Sequence, residues 1–549
     1  METDAFFISR KSPEFCTENS NLHPNILAPF LKKVDESPEN KALWVDDVNL
    51  SYFDLWTAAR PIIVCLNAIK RGKEMGPIAI VADRSLTSFL SIIAALACGI
   101  PYVPIHPKYP KKRQIDILDE SGCSILILDL NSSHTMGKVL PEIKKSLAII
   151  WVGEDDVCEH LQLLDGHKAF LTADARDQEM PELSAGSIAC VLFTSGSTGK
   201  PKGIAVSHSN ILSYVESVTK LYKPTVGDRF SQIFDQTFDL SLHDMFVAWS
   251  SGASLYCVPD RERHAPGRFI NQHSLTVWFS TPSTAAIMES LKLLKPGSFP
   301  TLRLSLFCGE PLSVELAKSW MMAALNSKLV NLYGPTETTI AITEMTFTKE
   351  LLKDMGSIVP IGLPFAGQVA GICNSRGEFL PLLDGSQGEL MLSGDQVTMG
   401  YWRDKVSTRA KFLNRPNNRS GNNKWFRTGD RVVYHNQFGF QFLGRLDDQI
   451  KIRGHRVEIS EIEGVLRKIT ASSAVAVIPW PQNPTSVNGV VAFIMGAQLS
   501  GEEIKKLCRR FLPLYMVPQK VILLRTWPTN SSSKTDKKAL LKILEGGDN

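Results

Sequence analysis

The sequence predicts an α/β protein with a large multi-subdomain N-terminal part, followed by a small α+β C-terminal domain. Two observations predict it. Strand-like and helical-period segments alternate from residue 25 onward, which argues for largely parallel sheets joined by helices. The pattern then changes beyond Asp447, where about one hundred residues hold enough elements for a compact domain of their own. The chain has 549 residues, too many for one ordinary core.

Taken in order, residues 1–24 are polar and irregular and are expected to form a loosely held arm. Residues 77–81 (PIAIV) read as a short apolar strand, 86–97 as a helix and 124–130 (SILILDL) as another strand. Residues 415–423 (RPNNRSGNN) carry no apolar side chain and read as a surface loop, and 425–463 mix strand-like residues with many charges. Beyond them, 459–469 reads as an amphipathic helix, 474–479 and 489–495 as strands, and 501–511 as a helix. The expected boundaries are therefore 1–24 for the arm, 25–446 for the N-terminal core and 447–549 for the C-terminal domain.

Composition excludes several classes. Hydrophobic residues make up 44% and charged residues 21%, as in globular proteins. The 60 basic and 56 acidic side chains leave a formal charge of +4, so no basic surface calls for nucleic acid. Met1-Glu2-Thr3-Asp4 opens without a basic region leading into an apolar run, so no secretory leader is expected. The longest apolar window, 89–105, is broken by Gly99 and Pro101 and reads as a buried helix and strand, so no membrane partner is expected. Ten cysteines without CxxC spacing suit reduced thiols in a cytoplasmic enzyme. The eleven histidines show no metal-ligand spacing, and His208 and His455 are expected to be structural or exposed.

The chemistry concentrates in residues 192–207 (LFTSGSTGKPKGIAVS), where glycines and small hydroxyl residues follow an apolar strand and two lysines follow them. Glycine lets the backbone approach a phosphate, while hydroxyl and N–H groups donate to its oxygens. Gly199-Lys200 is followed by Pro201, so this is not a Walker A loop. Taken alone, the phosphate-loop reading is preferred over that of a flexible Gly/Ser loop, which remains the lesser alternative.

The segment resembles the phosphate-binding loop of the adenylate-forming superfamily, which includes acyl-CoA synthetases, luciferases and peptide-synthetase adenylation domains. The resemblance runs nearly the whole chain in order: 50–52 (LSY), 97–104 (ACGIPYVP), 238–241 (FDLS), 331–339 (NLYGPTETT), 388–402 (GELMLSGDQVTMGYW), 427–430 (RTGD), 444–458 (GRLDDQIKIRGHRVE) and 530–536 (NSSSKTD). It implies ATP as co-substrate and Mg2+ as its companion. Thr194, Ser195, Gly196, Ser197, Thr198, Gly199 and Lys202 would meet the phosphates. Glu337 would bind the metal, a hard oxygen for a hard cation. Asn331, Tyr333, Gly334 and Thr336 belong to the same nucleotide motif, with Tyr333 stacked on adenine and Gly309-Glu310 lining the base pocket. Asp430 would accept from both ribose hydroxyls, with Arg445 beside ribose or phosphate. Lys534 would bridge the substrate carboxylate and the α-phosphate, although Ser533 stands where the family commonly has glycine. The C-terminal domain would be mobile, turning about Asp447 to bring first Lys534 and then the Lys451 region to the site.

Asp239 discriminates within the superfamily. Amino-acid-activating members pair the matching aspartate with the substrate ammonium, whereas a buried carboxylate without a cation would cost several kcal/mol or be forced to protonate. Alignment places Phe238, Leu240, His243, Ser280, Leu306, Cys308, Leu332, Gly334, Ile340 and Ala341 around the side chain. The contexts FDLSLHDMF, VWFSTPST and LFCGEPL look most like D-alanine–carrier protein ligases, with His243 departing from the usual methionine. His243 could read a substrate hydroxyl or serve as wall. The expected reaction activates a small amino acid, alanine before serine or glycine, and passes it to the phosphopantetheine thiol of a carrier protein. The chain ends fifteen residues after Lys534, so that carrier is expected in trans and the enzyme is expected to be a monomer. The alternative is an acyl- or aryl-CoA ligase. A silent binding module is disfavoured by Glu337, Asp430 and Lys534 occurring together.

Overall fold

The computed structural model describes residues 2–3, 6–10, 25–70, 75–152, 168–169, 181–184, 186–196, 200–348, 351, 355–414, 424–481, 487–529 and 535–545. Ser197, Thr198, Gly199, Ser533, Lys534 and the loop 415–423 lie outside the described residues.

Two large sheets carry the N-terminal part. In one, Tyr102–Ile105, Ile78–Val81, Ile125–Leu128 and Ala148–Trp151 run parallel, and each is almost wholly buried. Continuous apolar runs such as IAIV and ILIL fit strands covered on both faces. In the other, Ser254–Cys257, Arg229–Gln232, Val277–Ser280, Leu304–Phe307 and Lys328–Tyr333 form the parallel centre. Helices Leu86–Ala97 and Leu240–Ser251 are buried almost throughout. Both sheets contribute to one continuous hydrophobic core that also takes in these helices. A third, antiparallel sheet is built around Val369–Cys373, Gln387–Ser393 and Lys424–His435.

Where composition suggests only an irregular arm, Phe7–Ser9 is a strand paired with Val369–Cys373. Phe7 packs edge-on to Phe379 at 4.7 Å and beside Trp425 at 5.0 Å. A short apolar triplet amid polar residues has little signal of its own, and the pairing partner lies about 360 residues away.

The C-terminal residues have separate cores. One face of the sheet Val475–Trp480, Gly489–Met495 and Lys520–Leu524 packs with helices Ile459–Thr470 and Gly501–Cys508 and with the hairpin Gln449–Ile452/His455–Glu458. The other face packs with helix Lys537–Glu545 through Leu540. No helix among the described residues is long and apolar enough to cross a membrane, and the eight described cysteines form no disulfide.

Candidate active site

The carboxyl ends of the parallel strands converge, the usual place for a ligand crevice in an open α/β sheet. Strand Val277–Ser280 leads to Thr281 and Ser283, Leu304–Phe307 to Cys308, Gly309 and Glu310, and Lys328–Tyr333 to Gly334, Thr336 and Glu337. From the neighbouring sheet, Ile188–Thr194 delivers Thr194 and Ser195, with Thr194 directly across from Lys202. The hairpin of the C-terminal part closes the crevice. Arg453 and Gly454 at its tip both have positive φ (51° and 81°), as a type I′ turn requires. A Cβ on Gly454 would stand 2.6 Å from Thr281 Cγ2, so only glycine lets the tip enter this deeply.

Three cavities meet here. The first, about 90 Å3, is bounded by Thr194, Ser195, Phe238, Asp239, Leu240, Cys308, Gly309, Tyr333, Gly334, Thr336, Lys451 and Arg456. The second, about 300 Å3, joins Gly309, Glu310, Asn331, Leu332, Tyr333, Asp430, Arg445, Asp447 and Lys451 to an apolar wall of Ile358, Val359, Ile361 and Phe442. The third, about 370 Å3, runs past Thr281, Arg453 and Leu514 and shares Phe238, His455 and Tyr515 with the first.

The second cavity pairs an unsatisfied acceptor with a buried carboxylate. Asn331 donates through Nδ2 to the carbonyls of Val359 (3.3 Å) and Pro360 (3.0 Å), while its Oδ1 is buried with no partner. That orphan acceptor fits an exocyclic amine, because a buried polar atom left unpaired is costly. Asp430 accepts from Tyr333 Oη and, at 2.6 Å, from Arg445 Nη1. Arg445 also grips Asp447 through two 2.7 Å bonds, tying Asp430 to the expected hinge. Tyr333 lines both cavities, but its hydroxyl is tethered to Asp430.

In the first cavity, burial raises the Asp239 carboxyl to about 6, against the opposing pull of the Thr336 hydroxyl and the Lys451 ammonium. Among the described residues no lysine or arginine forms an ion pair with it. Burial also pushes the Cys308 thiol up to about 12, so it is an uncharged wall. An added Cβ on Gly334 would meet Ala341 Cα at 2.6 Å, which sets Ala341 directly behind it. Thr339 and Ile340 both have positive φ (57° and 69°), a conformation rare for β-branched residues. Gln396 braces this bend, accepting from Thr339 Oγ1 through its backbone carbonyl and donating to Ala341 O at 2.6 Å.

Of the expected pocket residues, Phe238, Asp239, Leu240, Cys308 and Gly334 border the first cavity and Leu332 the second, whereas His243, Ser280, Leu306, Ile340 and Ala341 are buried and border neither. Ser280 Oγ is spent on Trp278 Nε1 and the Thr281 carbonyl. His243 Nδ1 bonds Tyr214 Oη at 2.7 Å, its Nε2 has no partner, and burial drops its pKa to about 3, so the ring is neutral.

Glu337 is wholly buried. Both its oxygens accept from Arg456 Nη1 at 2.8 Å, and Oε1 also accepts from Tyr401 Oη at 2.8 Å. Burial raises its carboxyl, but Arg456 and Tyr401 more than offset this and hold it below the usual range. Ser195 Oγ donates to the Arg456 carbonyl at 2.6 Å, and Gly454 N–H donates to Glu310 Oε1 at 2.7 Å. Glu310 also accepts from Ser283 N–H at 2.9 Å, so its carboxylate holds the hairpin as well as lining the second cavity. Lys202 does not border the cavities. Its ammonium lies 4.4 Å over the Tyr401 ring and donates to Ser407 Oγ at 3.0 Å. Gly196 is described beside Ser195, where an added Cβ would sit 2.1 Å from the Lys200 carbonyl.

Sequence reasoning missed Arg456, Tyr401, Tyr214 and Tyr515. The first two stand inside motifs quoted above, yet nothing local reveals that they meet at Glu337. His455, expected to be structural or exposed, borders the first and third cavities and stacks on Tyr515 at 3.7 Å. His208 is structural as expected: buried, its Nδ1 accepts from Ile26 N–H at 3.2 Å.

Residues 30–402 match the AMP-binding enzyme family. The chain belongs to that family. It is a member of the adenylate-forming superfamily and carries its α/β fold, with the large N-terminal part and smaller C-terminal part the sequence predicts. It is similar to the Vibrio cholerae adenylation domain AlmE, solved in complex with glycyl-adenosine-5'-phosphate: 31% identity, TM-score 0.85, covering 97% of this chain and 100% of that one. It is 29% identical over 514 residues to gramicidin S synthase 1 of Brevibacillus brevis, covering 93% of this chain and 44% of that protein. With the anguibactin system regulator of Vibrio anguillarum it shares 27% over 526 residues, 94% of this chain and 47% of that protein. The chain thus spans about half the length of these two curated relatives.

Proposed function

We propose that the protein is an AMP-forming ligase that activates a small amino acid as its aminoacyl-adenylate and then passes it to a thiol acceptor. The observation that carries this reading is Asp239, a buried carboxylate bordering the small first cavity, next to the larger one lined by Asn331 and Asp430. An amino acid's ammonium would supply the cation it lacks, whereas an acyl or aryl acid would leave it unpaired. Alanine is the first choice, with glycine and serine next; the likeness to AlmE, solved with glycyl-adenosine-5'-phosphate, supports a small side chain.

In the first half-reaction the substrate carboxylate attacks the α-phosphorus of ATP and pyrophosphate leaves. Asn331 would accept from the adenine amine, Asp430 and Arg445 would hold the ribose, and Thr194 and Ser195 would donate to phosphate oxygens. Glu337 is the hard oxygen donor that magnesium needs, and so fits it once Arg456 withdraws; a bound magnesium would supply screening of the phosphate charge. Lys534, assigned by resemblance, would be brought in by rotation about Asp447. In the second half-reaction a thiol attacks the acyl carbon and AMP leaves. The third cavity, opening past Arg453 and Leu514, would admit the phosphopantetheine arm of a carrier protein. Radiolabelled amino acid offered with a phosphopantetheinylated carrier and with coenzyme A tests this: loading of the carrier alone supports the reading, and a coenzyme A thioester alone overturns the carrier assignment.

A further inference from the structure

We propose that Gln396 is a positioning residue: its side-chain amide clamps the strained turn Thr339–Ala341, and through that turn it fixes the Glu337 carboxylate where magnesium is to be held. The proposal rests on the adenylation reading of Glu337 and deepens it by naming what sets the carboxylate's place. The turn needs a hold from outside. Ala341 N–H donates to the Thr339 carbonyl at 2.9 Å, two residues back, around Ile340 at φ 69°. That is a γ-turn of the rare, strained hand, with a β-branched residue at its centre. Thr339 before it also stands at φ 57°. Such backbone persists only where its surroundings over-determine it. Its far end is pinned: Ile342 N–H donates to the Tyr333 carbonyl at 2.8 Å, and a Cβ on Gly334 would stand 2.6 Å from Ala341 Cα. Relaxation of the turn therefore shifts its near end, which carries Glu337.

Gln396 supplies the hold. Its Nε2 donates to the Ala341 carbonyl at 2.6 Å and reaches the Thr338 and Thr339 carbonyls more weakly, at 3.4 and 3.3 Å. Its own carbonyl accepts from Thr339 Oγ1 at 2.7 Å. Turning the amide over would set Oε1 against three carbonyls, so one orientation of the side chain fits. Gln396 N–H donates in turn to Gln368 Oε1 at 3.2 Å, which anchors the clamp from behind. The residues that follow reach Glu337 itself. Thr398 N–H donates to the Glu337 carbonyl at 2.9 Å, and Tyr401 Oη to Glu337 Oε1 at 2.8 Å. Gln396, Thr398 and residues 337–341 are wholly buried, so a lost donor leaves a buried carbonyl unpaired. Groups that orient a metal ligand from behind commonly set metal affinity by 10- to 100-fold, on the order of the ligand contacts themselves.

Calorimetric titration of the full chain with α,β-methylene-ATP, once with manganese chloride and once with EDTA, tests this. The ratio of the two affinities measures what the metal adds. Gln396→Met keeps the length of the side chain and removes its donors. It should cut the ratio about tenfold. The affinity in EDTA should stay within about twofold, because Asn331 and Asp430 lie outside the turn. Adding Ile340→Gly, which takes positive φ without strain, should restore most of the ratio. Were Gln396 only a filler of space, that glycine would open a further cavity and lower the ratio again. An unchanged ratio in Gln396→Met, or a further loss in the double variant, would overturn the proposal, as would a wild type with no metal-dependent gain. Partial folding shows in the stoichiometry and not in the affinity. Should Gln396→Met fail to fold, Thr339→Val, of the same shape without the hydroxyl, should cut the ratio about threefold, and an unchanged ratio there overturns the clamp. Variants that match a wild type active in amino-acid-dependent ATP–pyrophosphate exchange defeat this proposal alone. The expected ratios in a protein with no such exchange keep it and defeat the adenylation reading.

Discussion

Replacing Asp239 by asparagine removes the carboxylate proposed to meet a substrate ammonium, and its effect can be worked out in advance. Asp239 is 8% exposed, at the start of the buried helix Leu240–Ser251, so water does little to screen the pair it would make. Breaking a buried ion pair by removing one partner costs about 3–5 kcal/mol, or roughly 10²–10⁴ in kcat/KM for the amino acid. The KM for ATP should change less than about threefold, because Asn331 borders the second cavity and not the first. The wild type also carries a pH signature. Its Asp239 carboxyl sits at about 6 without substrate, and only the ionised form pairs with an ammonium. The amino acid's kcat/KM should therefore fall about tenfold per pH unit below about 6, and in Asp239→Asn this slope should vanish. Pyrophosphate exchange from pH 5 to 8 measures both. A variant within twofold of wild type, or a flat wild-type profile, would refute the pairing.

Other expectations follow from the same geometry. Asn331→Leu should raise the KM for ATP about 10- to 100-fold, with the amino acid KM little changed, since it removes the orphan acceptor; steady-state kinetics with each substrate varied checks it. Gly454→Ala should keep pyrophosphate exchange but slow transfer to the acceptor, because its Cβ would strike Thr281 and its φ is 81°; single-turnover transfer measures it. Lys534→Ala should cut adenylate formation by about 10²–10³ while sparing thioester formation from pre-made aminoacyl-adenylate, and equal loss in both half-reactions would contradict the division. Asp244 is fully buried with both oxygens unpartnered, and burial raises its carboxyl well above the usual range. Such a raised group favours folding below the unfolded carboxyl range and loses that contribution as pH rises. Asp244→Leu should thus stabilise the fold by about 1–3 kcal/mol at neutral pH, with the gain shrinking toward about pH 4 in denaturant melts.

What the sequence made legible was local. The helix 86–97 and the strand 489–495 occur with those bounds, because an apolar run between turn residues needs no distant information. The loop around Thr194 and the segment 331–339 likewise announce themselves by composition, and Asp239 stands out because a carboxylate is costly where it lies. Pairing across the chain was not legible. Glu337 and Arg456 are 119 residues apart, and each motif alone is silent about the other. Depth was equally hidden. His243 lies one helical turn from Asp239, which suggests a shared face, but Tyr214 claims its Nδ1 and the ring does not border the first cavity. Phe7–Ser9 took its conformation from a strand about 360 residues away, which no local propensity foretells.

The central claim, activation of a small amino acid through a buried ammonium–carboxylate pair, is tested most directly by amino-acid-dependent ATP–pyrophosphate exchange. The panel should hold both enantiomers of alanine and serine, glycine, phenylalanine, leucine, propanoate and benzoate. Exchange driven by alanine, glycine or serine, and lost when the amine is removed as in propanoate, is the predicted result. Faster exchange with propanoate, benzoate, phenylalanine or leucine than with every small amino acid would contradict it.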